Sequence, residues 1–112
     1  MRGFLLVLGL LLASASAARA DFDGTELNNK CLDQNNPVSM TFCNAYIAGV
    51  LDMARDVDAT RAESGRLFCK PLDVSDNELT AKVKQYLKDY PEQLSYSASS
   101  IVLEMMIHNY PC

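Results

Sequence analysis

From Ser39 to Asp58 apolar side chains recur in steps of three and four: Cys43, Tyr46, Ile47, Val50, Met53, Ala54 and Val57, with Asp52, Arg55 and Asp56 between them. That period marks one face of an α-helix and predicts a central helix over this span. Gly49 inside it costs about 1 kcal/mol relative to alanine, which predicts a second backbone passing close at that point. Before it, Phe22, Leu27, Cys31 and Leu32 fall at loosely helical spacing, weakened by Gly24 and Asn28-Asn29, and predict a short first helix.

Periodicity disappears between Asp58 and Phe68, where Ala, Thr, Arg, Glu, Ser and Gly predict an exposed loop. Ser75-Asp76-Asn77-Glu78 then reads as a capping box, the serine oxygen accepting the amide three residues on and the glutamate bonding back to the cap. Leu79, Val83, Tyr86, Leu87 and Tyr90 form the buried stripe of the helix it opens, with Lys82, Lys84 and Lys88 on the wet side. Pro91 stops that helix or starts the next, because it disfavours a helical backbone at Tyr90. A last helix is predicted from about Leu94 to Asn109, with Leu94, Ala98, Ile101, Val102, Met105 and Met106 turned inward. No alternating strand pattern of useful length occurs, so the fold class is all-α, a small four-helix domain.

The first twenty residues lie outside this pattern. Arg2, the apolar run Phe4 to Leu12 and the small-x-small triplet Ala18-Arg19-Ala20 predict a secretory signal over residues 1–20, cleaved to leave a domain of residues 21–112. The apolar run is about half the roughly 20 residues that span a bilayer as a helix. No later segment is long and apolar enough to do so, and no lipobox cysteine follows the run. A soluble periplasmic product without membrane attachment is expected. Cleavage removes Arg2 and Arg19, leaving 8 Lys and Arg against 14 Asp and Glu, a net of −6 where the full chain has −4. Clustered cations for a phosphate backbone are missing, so nucleic acid is not an expected partner.

Four cysteines, Cys31, Cys43, Cys69 and Cys112, all fall in the exported part. An even number in an oxidising compartment predicts two disulfides, and no C-x-x-C pair is present for a zinc site. Four cysteines allow three pairings. Antiparallel packing of the last two helices favours Cys69 with Cys112 and leaves Cys31 with Cys43, against a crossed arrangement.

Catalysis finds little to use. The single histidine, His108, has no nucleophile motif around it and is expected to cap carbonyls or pack at the core margin. Asp52 and Asp56 stand one turn apart, a pair more often solvated than metal-bound. There is no Gly-rich phosphate loop. No enzyme, cofactor or metal is expected. The tyrosines sit mostly on or beside helical stripes as core, and Tyr96 and Tyr110 are the candidates for partner anchors.

The strings Cys43-Asn44-Ala45-Tyr46-Ile47-Ala48-Gly49-Val50-Leu51-Asp52, Phe68-Cys69-Lys70-Pro71, Tyr86-Leu87-Lys88-Asp89-Tyr90-Pro91-Glu92 and Tyr110-Pro111-Cys112 resemble, in order, four motifs of the Rap/Tai family of immunity proteins. Gly24 and Leu27 before Cys31 fit the family's opening, so the resemblance covers nearly all of residues 21–112. It implies a small helical periplasmic domain, often dimeric, that binds and blocks a peptidoglycan amidase effector of type VI secretion, and that protects the producer's own wall without being an enzyme. Most of the matching residues explain the fold and leave target choice open.

An acidic inhibitor meeting a basic target gains on-rate from steering, and the least patterned segment is the loop after the central helix. Asp58, Arg61, Glu63 and Arg66 are therefore the candidate partner-binding residues. The competing reading is a periplasmic stress chaperone of the acid-activated Hde type, also short, exported, helical and disulfide-bonded. Such a chaperone exposes apolar surface near pH 2 to 3, whereas an occluding inhibitor holds one tight partner near neutral pH.

Overall fold

The computed structural model describes residues 22–112, so the expected signal peptide lies outside the described residues. Four α-helices follow in order: α1 Gly24–Leu32, α2 Pro37–Ala59, α3 Asp76–Asp89 and α4 Ala98–Asn109. Short 3-10 turns occupy Glu63–Gly65 and Pro91–Gln93. Among the described residues there is no strand, only an isolated antiparallel bridge between Asp23 and Ser97. The all-α, four-helix expectation holds.

Local chemistry sets the helix starts. Asn36 caps α2, its Oδ1 accepting the amides of Val38 at 3.0 Å and Ser39 at 3.3 Å, and Pro37 at the first helical position needs no donor. The helix therefore begins two residues before Ser39. Ser75 caps α3 through the Glu78 amide at 3.2 Å, but the reciprocal half of the expected box is not made there. It is made at α1, where Asp23 accepts from the Glu26 amide at 2.9 Å and Glu26 accepts from the Asp23 amide at 3.4 Å. Pro91 ends α3 and opens a 3-10 turn, so α4 starts at Ala98 behind its Ser97 cap and Leu94 lies outside it.

All six helix pairs touch, and one continuous core runs between them. Leu27, Cys43, Ile47, Leu79, Val83, Val102, Met105 and Met106 are shut off from solvent at its centre, joined by Leu51, Leu87, Ala98, Ile101 and Phe68. The α3 and α4 stripes agree with the sequence pattern. Leu32, expected inside, is exposed at the end of α1.

The close backbone approach expected at Gly49 is found at Gly24. Gly49 is exposed, with open space where a Cβ would stand. A Cβ on Gly24 would strike Ile101 Cδ1 and lie 2.8 Å from Leu94 Cα. The turn between α3 and α4 docks here: the Gly24 amide donates to the Tyr96 carbonyl at 2.9 Å, the Thr25 amide to Leu94 at 3.0 Å and the Ala98 amide to Phe22 at 3.0 Å. A side chain at residue 24 would break the seat.

The disulfides join Cys31 to Cys43 and Cys69 to Cys112, with Cα separations of 5.2 and 5.0 Å. The favoured pairing stands and the crossed one falls. The first bridge ties α1 to the first turns of α2 and is buried. The second ties the segment after α2 to the chain's last residue and is exposed.

Candidate partner-binding site

Helix α2 carries more apolar surface than its core needs. Its buried line is Ser39, Cys43, Ile47, Leu51 and Asp58. A second line, offset by one residue, runs Phe42, Tyr46, Val50, Met53 and Val57, also in steps of three and four. Met53 is 66% exposed, Val57 46% and Phe42 42%. The pattern read from sequence merged these two lines and passed over Leu51, which is buried.

At its C-terminal end the second line borders a groove of about 450 Å³ between α2 and α4. Gly49, Val50, Met53, Ala54 and Val57 form the α2 side, Ser99, Ser100 and Leu103 the α4 side, and Leu67 and Phe68 the end wall. Gly49 leaves the α2 rim low. At the other end of the line Phe22 packs against Tyr46, ring centroids 4.8 Å apart, and against Phe42 at 5.4 Å. The Lys30 ammonium stands 5.8 Å from the Phe42 ring centre. Burial raises the pKa of Tyr46 above its ordinary value, with Ser99 as a hydrogen-bond partner pulling the other way.

The four nominated residues separate. Asp58 is not on the exposed loop but buried at the end of α2, its Oδ1 accepting the Leu67 amide at 2.8 Å. It thereby places the Leu67 end wall. Arg61 is exposed and lines the same groove. Glu63 lies in the 3-10 turn. Arg66 is exposed and faces a different hollow, with Ser64, Cys69, Pro111 and Cys112. The structure thus brings Asp58 and Arg61 to the apolar groove and puts Arg66 beside the exposed disulfide. The groove's apolar residues were missed, although the doubled stripe on α2 was visible as an excess of apolar positions over one helical face.

Of the two tyrosines proposed as anchors, Tyr96 is exposed and Tyr110 is buried. Tyr110 packs beneath Lys82, whose ammonium lies 4.8 Å from its ring centre. His108 is exposed near the end of α4, outside the core: its ring meets Tyr86 and Tyr90 edge-on, and Nε2 lies 3.4 Å from the Tyr90 hydroxyl. Burial raises the pKa of Tyr86 above the ordinary tyrosine value, although its hydroxyl donates to Gln93 at 3.1 Å. Among the described residues no three of His, Cys, Asp and Glu are grouped to hold a metal ion, and no helix is long and apolar enough to cross a membrane.

A search of curated proteins found no match. The family model described as Rap1a immunity proteins matches residues 23–112, which is every helix and both disulfides. With that match running from the Asp23 cap to the terminal Cys112, the chain belongs to the family of Rap1a immunity proteins.

Proposed function

We propose that the exported domain is the periplasmic immunity partner of a peptidoglycan amidase delivered by type VI secretion, and that it acts by covering the amidase's catalytic cleft. The match to the Rap1a immunity proteins over residues 23–112 carries this reading. It favours one specific protein partner over the client-holding role of an acid-activated chaperone. Disulfides in both halves of the fold fit an oxidising compartment.

Inhibition by occlusion needs a rigid surface, and nothing in it requires chemistry by the inhibitor. The apolar line on α2 offers such a surface, because a helix braced by all three neighbours presents Val50, Met53 and Val57 with little conformational entropy left to lose. In this reading the effector buries an apolar anchor in the groove, Arg61 engages its rim, and Glu63 and Arg66 contribute from the periphery. The net charge of the exported chain steers a basic target towards it.

The test is direct. The oxidised domain is mixed with the amidase encoded beside its gene, and peptidoglycan hydrolysis is followed near neutral pH. Stoichiometric loss of hydrolysis supports the reading. Undiminished hydrolysis, with no complex on size exclusion, rejects it. Client holding at pH 2 to 3 without any neutral-pH partner points to the chaperone instead.

A further inference from the structure

The two disulfides differ in what surrounds them. Cys31 is 5% exposed and Cys43 wholly buried, both inside the core. Cys69 and Cys112 are exposed, and their bridge lines an open hollow with Ser64, Arg66 and Pro111. A reductant's thiolate needs an unobstructed approach to sulfur, so only the second bridge can be attacked without unfolding. Arg66 lines the same hollow, and a cation on that rim favours the thiolate that leaves.

What that bridge holds is the end wall of the α2–α4 groove. Between the end of α2 and the start of α3, the chain is fastened at Leu67 to Cys69. The Leu67 amide donates to buried Asp58, Phe68 enters the core, and the Cys69 amide donates to the Tyr110 carbonyl at 2.7 Å. The bridge from Cys69 to Cys112 clamps this fastening to the end of the chain next to Tyr110. While it is closed, the Cys69 and Tyr110 backbones are held at high effective concentration, so closing of the hydrogen bond between them is strongly favoured over opening. Once it is open, the last two residues and the segment around Leu67 are held by non-covalent contacts alone.

We propose that Cys69–Cys112 is a redox latch on this wall: a dithiol reductant opens it in the folded molecule and loosens Leu67 to Cys69, while Cys31–Cys43 stays closed. One thiolate of the dithiol attacks a sulfur of the bridge, forming a mixed disulfide and releasing the other cysteine as thiolate. The second thiol of the reductant then displaces the first cysteine and closes its own disulfide. Two electrons pass to the chain, and its two thiolates take up protons from water.

The experiment uses the oxidised exported domain, residues 21–112, with dithiothreitol as the probe. Thiols are trapped with N-ethylmaleimide and mapped by peptide mass, while helicity is followed by circular dichroism and amide exchange by mass spectrometry. Labelling of Cys69 and Cys112 alone is expected, with helicity retained and exchange at the Leu67 and Cys69 amides rising at least tenfold. R66A slows the labelling severalfold. The C69S/C112S double variant reproduces the faster exchange while retaining its helices. Simultaneous labelling of all four cysteines with loss of helix overturns the proposal, as does unchanged exchange at Leu67 and Cys69, or a double variant that fails to fold.

Discussion

The buried carboxylate of Asp58 accepts the backbone amide of Leu67 at 2.8 Å, nine residues further along the chain. A charged side chain at the end of a helix has here been turned inward to close the following loop. Leu67 and Asp58 both border the groove that Arg61 also lines, so the bond shapes the site without leaving Asp58 free to reach a partner.

Removal of that acceptor leaves the Leu67 amide unsatisfied. D58A is expected to cost about 1.5–3 kcal/mol, the range for hydrogen bonds to charged groups. D58N keeps an oxygen in place and is expected to lose less than half as much. Urea denaturation of the two variants checks this order. A stability change below about 0.5 kcal/mol for D58A, as at an ordinary surface site, would sink the structural role.

Gly24 and Gly49 are expected to respond to alanine with opposite signs. At Gly24 the new Cβ meets the Leu94 backbone at 2.8 Å, which cannot yield as a flexible side chain could. G24A should cost about 1–3 kcal/mol, typical of overpacking. At Gly49 the space is open in the middle of α2, and G49A should add about 0.5–1 kcal/mol through helix propensity. Thermal melts moving in opposite directions are the signature. If effector binding requires the low rim at Gly49, the same substitution weakens inhibition while the protein becomes more stable.

These positions mark how far the sequence could be read. The α3 stripe was legible because that helix is apolar on a single face, the α4 stripe because its fully buried residues recur in steps of three and four even though Leu103 and Ile107 add apolar surface beside them, and the disulfide pairing followed from the antiparallel packing of those helices. The α2 stripe was legible as helix but not as orientation. Two apolar lines one residue apart satisfy the same period, and only tertiary packing decides that Leu51 goes in and Met53 stays out. Gly49 was misread for a related reason: a glycine in a helix signals a close approach or a low rim, and local sequence does not separate the two. The α1 cap was available in Asp23 and Glu26, while the box expected at Ser75 and Glu78 is only half made.

Burial sets a limit on alkaline stability. The Tyr86 phenol is neutral when protonated, and burial raises its folded-state pKa above the ordinary value of 10.0. The folded state therefore holds this proton more tightly than the unfolded chain does. That contribution is fully present below the unfolded pKa and is lost as pH rises through the folded one. Stability should fall above about pH 10, with part of the phenolate absorbance appearing only as the protein unfolds. Y86F lacks the bond to Gln93 and should be about 1 kcal/mol less stable at pH 7, yet show a shallower alkaline decline. Equal slopes for the two proteins would assign the alkaline transition to other groups.

The exposed line on α2 separates binding from folding. Met53 is 66% exposed, so M53E removes little buried area and should change stability by no more than about 0.5 kcal/mol. If the effector seats an apolar anchor between Met53, Val57 and Leu103, a carboxylate there must be desolvated against it, and affinity should fall at least about a hundredfold. Leu72, fully exposed on the segment before α3 and outside the groove, supplies the control: L72S should leave both stability and inhibition unchanged. Calorimetric titration of the effector with each variant, beside urea melts, measures both effects. M53E binding as tightly as the parent would move the site off this face while leaving the immunity reading intact, because inhibition by the parent protein is measured in the same series.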